Sequence, residues 1–244
     1  KESKEILLTI SKDDILYTES RLILADFISE NSSEKEAINI LKELIKTQEK
    51  SSEIYELLGN IYRYHEKFDL AQEAYSEAIY LLQNSEFDNN NLWLLYFFRG
   101  IALEQLKNYE KSKQDLRKSL ALMPDQPQVL NYLGYMLIEQ KENLEEALGM
   151  IRKAVKLSPQ SGYIIDSLAW GLYQLGRYSE AIEPMERAIE LEPEDPIVND
   201  HLGDVLWKVG RKREAYYQWK KTLLFNPTPE LKLEIEKKLD TGLP

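Results

Sequence analysis

Cysteine is absent from this sequence, histidine occurs only twice, and the chain of 244 residues has just 10 glycines and 9 prolines. Without cysteine the chain can form no disulfide, no thiolate metal site and no thiol nucleophile. The absence fits a protein of the cell envelope and a cytoplasmic protein equally well. Long apolar runs are also missing, since the longest one covers residues 92–98, whereas a membrane-spanning helix needs roughly 20 residues.

The sequence opens on Lys1 and shows no signal peptide. We therefore interpret it as a mature or trimmed piece of a longer protein. Hydrophobic residues make up 43% and charged residues 30%, which predicts a folded, helix-rich chain of one or two domains. The formal net charge of -11 makes nucleic acid an unexpected partner, because phosphate binding requires clustered Lys and Arg.

Proline recurs at a nearly constant interval in the second half of the chain. Pro124, Pro159, Pro193 and Pro227 lie 35, 34 and 34 residues apart. Proline stops a helix because its ring clashes with the preceding turn and it has no N–H to donate. A period of this length is typical of solenoids and other repeat architectures.

Two series of small residues keep the same interval as the prolines. One series consists of Ala37, Ala71, Ser112, Ala147, Ala181 and Ala215. The other consists of Ala25, Gly59, Gly100, Gly134, Ala169 and Gly203. The single long step, 41 residues from Ala71 to Ser112, equals one period plus an insertion, which we place in a loop near 84–92. Small residues at these positions allow two helices of one hairpin to approach closely.

These series resemble the tetratricopeptide repeat family, whose 34-residue unit has small residues at positions 8, 20 and 27 and proline at position 32. In the second unit Tyr55, Leu58, Gly59, Tyr62, Ala71, Tyr75 and Ala78 occupy the signature positions in order. The resemblance implies an all-α superhelical solenoid of about six helix-turn-helix repeats. It also implies that bulky residues at position 24, such as Tyr75 and Trp219, fill the space between hairpins.

The repeat register divides the chain into three parts. Residues 1–17 are predicted to be a helix left from a partial preceding repeat, and residues 230–244 a C-terminal capping helix. Residues 18–229 hold the six units between them. These units are 18–51, 52–85, 93–126, 127–161, 162–195 and 196–229.

Residues suited to catalysis are scarce. His65 and His201 lie in different units with no metal-ligand spacing between them, and no Gly-rich phosphate loop or Ser/His/Asp arrangement is present. We therefore predict a protein that is not an enzyme and that uses neither a cofactor nor a metal ion.

Family analogy places the binding surface on the concave face, at positions 2, 5, 9 and 12 of each first helix. This face starts acidic and becomes apolar and aromatic from the third unit onwards. The predicted binding residues are Leu94, Phe97, Ile101, Asn131, Tyr135, Asp166, Trp170, Tyr173, Asp200, Asp204 and Trp207. Positions 2, 5 and 6 have no Lys or Arg in any unit, so the clamp with which some family members grip the EEVD terminus of chaperones is not expected.

Four aromatic residues, Tyr135, Trp170, Tyr173 and Trp207, are predicted to form a continuous strip that contacts apolar side chains of a partner. The aspartates Asp166, Asp200 and Asp204 would flank this strip and favour a Lys, an Arg or a free amino group. The alternative is that the aromatics only pack neighbouring repeats together.

The sequences of the last units, for example residues 131–135 and 166–170, resemble those of a group of bacterial envelope tetratricopeptide proteins. Some of these are outer-membrane lipoproteins that act as adaptors for a carboxyl-terminal processing protease. The resemblance implies a protein-binding scaffold in the periplasm or envelope, with a protease or its substrate as partner, while a cytoplasmic location stays open. Two alternatives are a self-associating scaffold that buries Leu94, Phe97 and Phe98 between copies and, more remotely, an enzyme. The chain would be a monomer or a homodimer.

Overall fold

The structure is a computed structural model that describes residues 2–47, 51–85 and 91–243. Every regular element in these ranges is a helix, and none of them is both long and apolar enough to cross a bilayer. The chain forms two compact units, residues 1–124 and residues 125–244.

The N-terminal unit contains seven helices in its described part. They are α1 (Glu2–Thr9), α2 (Tyr17–Asn31), α3 (Glu34–Thr47), α4 (Ser52–Tyr64), α5 (Phe68–Gln83), α6 (Leu92–Gln105) and α7 (Tyr109–Leu122). Helices α2 and α3, α4 and α5, and α6 and α7 pack in pairs, because short connections bring consecutive helices together as hairpins. Residues 86–90 of the predicted inserted loop lie outside the described residues.

The C-terminal unit continues the pattern. Its helices are α8 (Pro127–Glu139), α9 (Leu144–Leu157), α10 (Gly162–Gln174), α11 (Tyr178–Leu191), α12 (Pro196–Lys208), α13 (Lys212–Thr222) and α14 (Pro229–Thr241). The pairs are α8 with α9, α10 with α11, and α12 with α13, while α14 packs on α13. The first helices also contact one another, α8 with α10 and α10 with α12.

Helix α1 packs on α2, and the side chain of Leu7 joins the N-terminal core. The guanidinium of Arg21 on α2 donates hydrogen bonds to the carbonyl oxygens of Leu7 (2.9 Å) and Ile10 (3.1 Å). These carbonyls are among those left unpaired where a helix ends. Arg21 thereby fixes the C-terminal end of α1 against the first hairpin.

Close helix contacts occur where the sequence places small residues. A Cβ built on Gly59 would lie 2.6 Å from the Tyr75 ring, and one on Gly203 would lie 2.4 Å from the Trp219 ring. Both rings are fully buried. Tyr75 and Trp219 therefore pack on the glycine of their own hairpin, and the Tyr75 ring also lies 6.0 Å from that of Phe98 in the next hairpin.

Tight turns separate the two helices of each hairpin. Gly176 and Gly210 follow α10 and α12 with φ of +73° and +87°, a backbone conformation that glycine adopts at no steric cost. These turns fix where each first helix ends. The first helices of the C-terminal unit consequently present positions 5, 9 and 12 in register, which is the arrangement on which the candidate site depends.

Candidate partner-binding face

Trp170 on α10 lies at the centre of the first-helix face of the C-terminal unit. Its ring stacks on Tyr173 one turn further along (centroids 4.8 Å apart, planes at 7°) and on His201 of α12 (4.0 Å, 10°). Its indole Nε1 donates a 2.8 Å hydrogen bond to the carboxylate of Glu139 at the end of α8. Trp170 is thus held by three helices while its side chain stays partly exposed.

Asp166 lies one turn before Trp170 on α10 and is buried. Both of its carboxylate oxygens are 3.0 Å from Nδ1 of His201, which is also buried. Burial disfavours the imidazolium, but the negative charge of Asp166, and further away those of Asp200 and Asp204, raises the pKa of His201 above its ordinary value. The pair therefore joins α10 to α12 as a buried, charge-assisted contact.

Asp200 occupies the equivalent place on α12, Asp204 lies one turn further along, and Lys238 of α14 contacts both. The ammonium of Lys238 donates to both oxygens of Asp200 (2.7 and 2.9 Å) and to Asp204 (3.0 Å). Nε1 of Trp219 donates a further 2.9 Å bond to Asp204. Burial and the neighbouring Asp204 raise the pKa of Asp200 to about 6, against the opposing effect of Lys238.

The three aspartates were predicted to receive a cation from a partner, and the structure gives each of them a cation or donor within the chain. Asp166 contacts His201, while Asp200 and Asp204 contact Lys238. A buried carboxylate requires such pairing because leaving it unpaired costs several kcal/mol, roughly 3–5. In this structure the aspartates hold helices together, and Glu139 is the exposed acidic group that contacts Trp170.

Trp207 belongs to a second aromatic cluster. Its ring lies 5.4 Å from that of Trp219 and 5.7 Å from that of Tyr216. Its Nε1 donates to the carbonyl oxygen of Leu243 at 3.0 Å, and Gly242 packs so closely on the ring that a Cβ there would lie 2.1 Å away. Trp207 is thus held by the last hairpin and by the residues that follow α14 while its side chain stays partly exposed, and the continuous strip stays a prediction.

Tyr135 and Asn131 lie on α8, the first helix of the same unit, and both are partly buried. Burial, followed by the charges of Glu139 and Asp166, raises the pKa of the Tyr135 hydroxyl. The carbonyl oxygen Oδ1 of Asn131 is buried without a hydrogen-bond partner in the described part of the chain.

In the N-terminal unit the predicted residues Leu94, Phe97 and Ile101 are partly buried on α6. The neighbouring ring of Phe98 lies 5.6 Å from Phe97 and is covered by the guanidinium of Arg63 at 4.6 Å. A cavity of about 440 Å³ opens beside Phe98 and Arg63. Its lining includes Asp26, Ser29, Glu30, Asn60, Arg63, Tyr64 and Phe98.

Sequence reasoning missed the contacts of Glu139, His201, Lys238 and Trp219. Asp166 and His201 are 35 residues apart, at positions 5 and 6 of successive units. The repeat register could therefore have predicted their contact. Lys238 has no such signal, because only the packing of α14 brings it to α12. Within the described residues, no group of three or more His, Asp or Glu side chains could hold a metal ion.

Family models match three separate segments of the chain. Residues 52–83 and 93–126 each match a model described as tetratricopeptide repeat, and residues 172–210 match a model described as TPR repeat. These three segments are similar to tetratricopeptide repeats. A search of curated proteins gives no significant match.

Several solved structures share the fold, two of them of proteins described as TPR proteins. The C-terminal part of such a protein from Cytophaga hutchinsonii aligns with a TM-score of 0.65 at 16% identity, covering 91% of this chain and 87% of that one. A thermophilic TPR protein from Thermus thermophilus aligns with a TM-score of 0.61 at 19% identity, covering 78% of this chain and 99% of that one. The MamA protein gives 0.57 at 22% identity (79% and 96%). The predicted all-α solenoid fold class is confirmed.

The buried acid–base cluster predicts a pH dependence of stability. His201 and Asp200 both have raised pKa values in the folded protein, so the folded state binds their protons more tightly than the unfolded state does. The contribution of His201 to the free energy of unfolding is complete below its unfolded pKa near 6.5 and is lost as the pH rises through its higher folded value. The contribution of Asp200 to the free energy of unfolding is lost as the pH rises through about 6.

We therefore expect the free energy of unfolding of the C-terminal unit to fall, by on the order of 1 kcal/mol, between about pH 5.5 and about pH 8. Urea titrations followed by circular dichroism at several pH values would measure it. His201→Gln should flatten the dependence above pH 6.5, whereas the control His65→Gln in the other unit should not. An equal slope in His201→Gln and the unaltered chain would contradict the assignment.

Proposed function

We propose that this chain is a protein-binding adaptor and that a partner segment lies on the first-helix face of its C-terminal unit. The observation that supports this best is the arrangement of Trp170, which is partly exposed yet fixed by stacking on two rings and by a hydrogen bond to Glu139. A rigid aromatic side chain loses little conformational entropy when a partner covers it. Trp and Tyr also dominate the binding energy of many interfaces.

The chemistry of the face favours a partner segment with apolar side chains and a positive charge. Trp170 and Tyr173 offer apolar ring surface, and exposed Tyr163 and Ile197 lie on the same helices, α10 and α12. Glu139 is exposed and can accept a Lys or Arg side chain of the partner. Because Asp166, Asp200 and Asp204 are already paired within the chain, we assign this contact to the carboxylate of Glu139.

We further propose that the adaptor works in the bacterial envelope and presents substrates to a carboxyl-terminal processing protease. The support is the resemblance of residues 129–224 to envelope tetratricopeptide proteins. Affinity capture from the envelope fraction of the source cell, followed by mass spectrometry, should yield a protease or its substrates. Recovery of cytoplasmic proteins alone would contradict this assignment and leave the binding face to be tested with the captured partner.

Trp170→Ala should weaken binding of the captured partner by about 30-fold, corresponding to roughly 2 kcal/mol for a desolvated aromatic anchor. Isothermal titration calorimetry would measure the change, with circular dichroism to show that the fold is intact. The matched control is Tyr64→Ala, which removes an aromatic side chain that is 76% exposed in the other unit and should leave affinity unchanged. Unaltered affinity of a folded Trp170→Ala variant would mean that the aromatics only pack repeats together.

Glu139→Gln should act differently from the tryptophan variant. A rim charge mainly changes the association rate and its salt dependence, so we expect slower association at low salt and little difference at high salt. Stopped-flow or surface plasmon measurements at two salt concentrations would show this. The alternative function, a scaffold that self-associates through Leu94, Phe97 and Phe98, is less favoured because Phe98 already packs with Arg63 and Tyr75 of its own unit.

A further inference from the structure

In the described part of the chain, one face of α2 is exposed on the first hairpin. Ile23 and Phe27 are 51% and 40% exposed, and they lie one turn apart on a single face of the helix. In later units the residues equivalent to Phe27 are buried. Ile61, Ala102, Met136 and Val205 are at most 5% exposed.

The exposed face of α2, which we call the α2 stripe, has an acidic border. Glu19 and Glu30 continue the same face one turn before Ile23 and one turn after Phe27, and Asp26 lies beside it. All three carboxylate side chains are exposed. The α2 stripe therefore fits a helix that presents apolar side chains between Lys and Arg residues.

Such a helix face is present in the other unit of the same chain. Arg213, Tyr217 and Lys220 follow the spacing i, i+4 and i+7 on one face of α13, and Leu224 lies in the turn that follows the helix. We call these four residues the α13 face. All four are exposed, Tyr217 by 66% and Leu224 by 75%. In the repeat register, Glu73 and Gln114 stand where Tyr217 does, so a large apolar side chain at this position is a departure from the pattern.

We propose that the α13 face of one copy of this chain docks on the α2 stripe of a second copy. The two surfaces match in chemistry, since apolar side chains would meet between an acidic and a basic border. The two surfaces are different, so the contact is heterologous. Repetition of a heterologous contact builds a ring or an open head-to-tail chain.

Sedimentation velocity over a range of concentrations tests the contact. The mass of the unaltered protein should rise above 28.6 kDa with concentration and should not stop at a dimer unless a ring closes. The association should weaken between about 0.1 M and about 1 M salt, which shortens the Debye length from roughly 10 to 3 Å.

Two blocked variants make the test specific. Ile23→Asp together with Phe27→Asp closes the α2 stripe, and Tyr217→Asp together with Leu224→Asp closes the α13 face. These side chains are exposed, so both variants should fold, which circular dichroism would show. Each should be monomeric alone, and an equimolar mixture should form a dimer and nothing larger, because each partner keeps one complementary surface.

Three outcomes would overturn the proposal. The unaltered protein could stay monomeric at all concentrations, which would assign the α2 stripe to another partner. The variant blocked at α13 could still dimerise alone, which would indicate pairing between two α2 stripes. The two blocked variants could associate no better together than apart, which would place the contact elsewhere on the chain.

Discussion

Replacing Lys238 with methionine is expected to lower the free energy of unfolding of the C-terminal unit by about 3–5 kcal/mol. The ammonium of Lys238 is the cation that contacts both Asp200 and Asp204, and all three side chains are buried. Methionine fills a similar volume but leaves two carboxylates near each other without a positive charge. The loss therefore reflects unpaired buried charge rather than lost packing.

Urea denaturation followed by circular dichroism would measure this loss. The matched control is Lys232→Met on the same helix, where the side chain is exposed and the change should stay within about 0.5 kcal/mol. Adding Asp200→Asn and Asp204→Asn to Lys238→Met should recover much of the stability, since no buried charge would then remain. Equal stability of the Lys238 and Lys232 variants would show that the cluster does not hold α14 in place.

Trp219→Ala is expected to cost a similar amount, about 3–5 kcal/mol, through a cavity in the core of the last hairpin. The Trp219 ring is fully buried against Gly203 and contacts the rings of Trp207 and Tyr216. Its loss also removes a hydrogen bond to Asp204, which leaves a buried acceptor with one partner fewer. Hydrogen exchange should show faster opening of α12, α13 and α14.

Trp170→Ala provides the comparison for Trp219→Ala. Its ring is only partly buried, so the stability cost should be no more than roughly 1–2 kcal/mol, while the loss of partner affinity should be large. The two tryptophans would then separate packing from recognition on neighbouring helices. A larger stability loss for Trp170→Ala than for Trp219→Ala would reverse this assignment.

The repeat interval was sufficient to predict the hairpins and the helix type, because proline, glycine and alanine act locally. Pro196 begins α12, and Gly210 allows the turn that follows it. Small residues such as Gly203 mark close contacts regardless of what lies further along the chain. For these features the physical cause lies within one or two helices, so one sequence determines them.

The candidate face was only partly predictable, because its contacts depend on helices further along the chain. Position in the repeat indicates that Asp166, Asp200 and Trp207 share a side of their helices, but not what covers that side. His201 covers Asp166 one repeat later, and Lys238 reaches Asp200 from a helix outside the six units.

Trp170 and Trp207 illustrate the division most clearly. They stand at positions 9 and 12 of successive units and look alike in sequence, and both are partly exposed, yet Trp170 contacts Glu139 and His201 of other first helices whereas Trp207 contacts Gly242 and Leu243 after α14. The sequence by itself determined the repeat, the hairpins and the aromatic character of this face. Only the tertiary structure decided which side chains remain accessible and which carboxylates are paired, because burial and charge pairing depend on neighbours that the repeat interval does not specify.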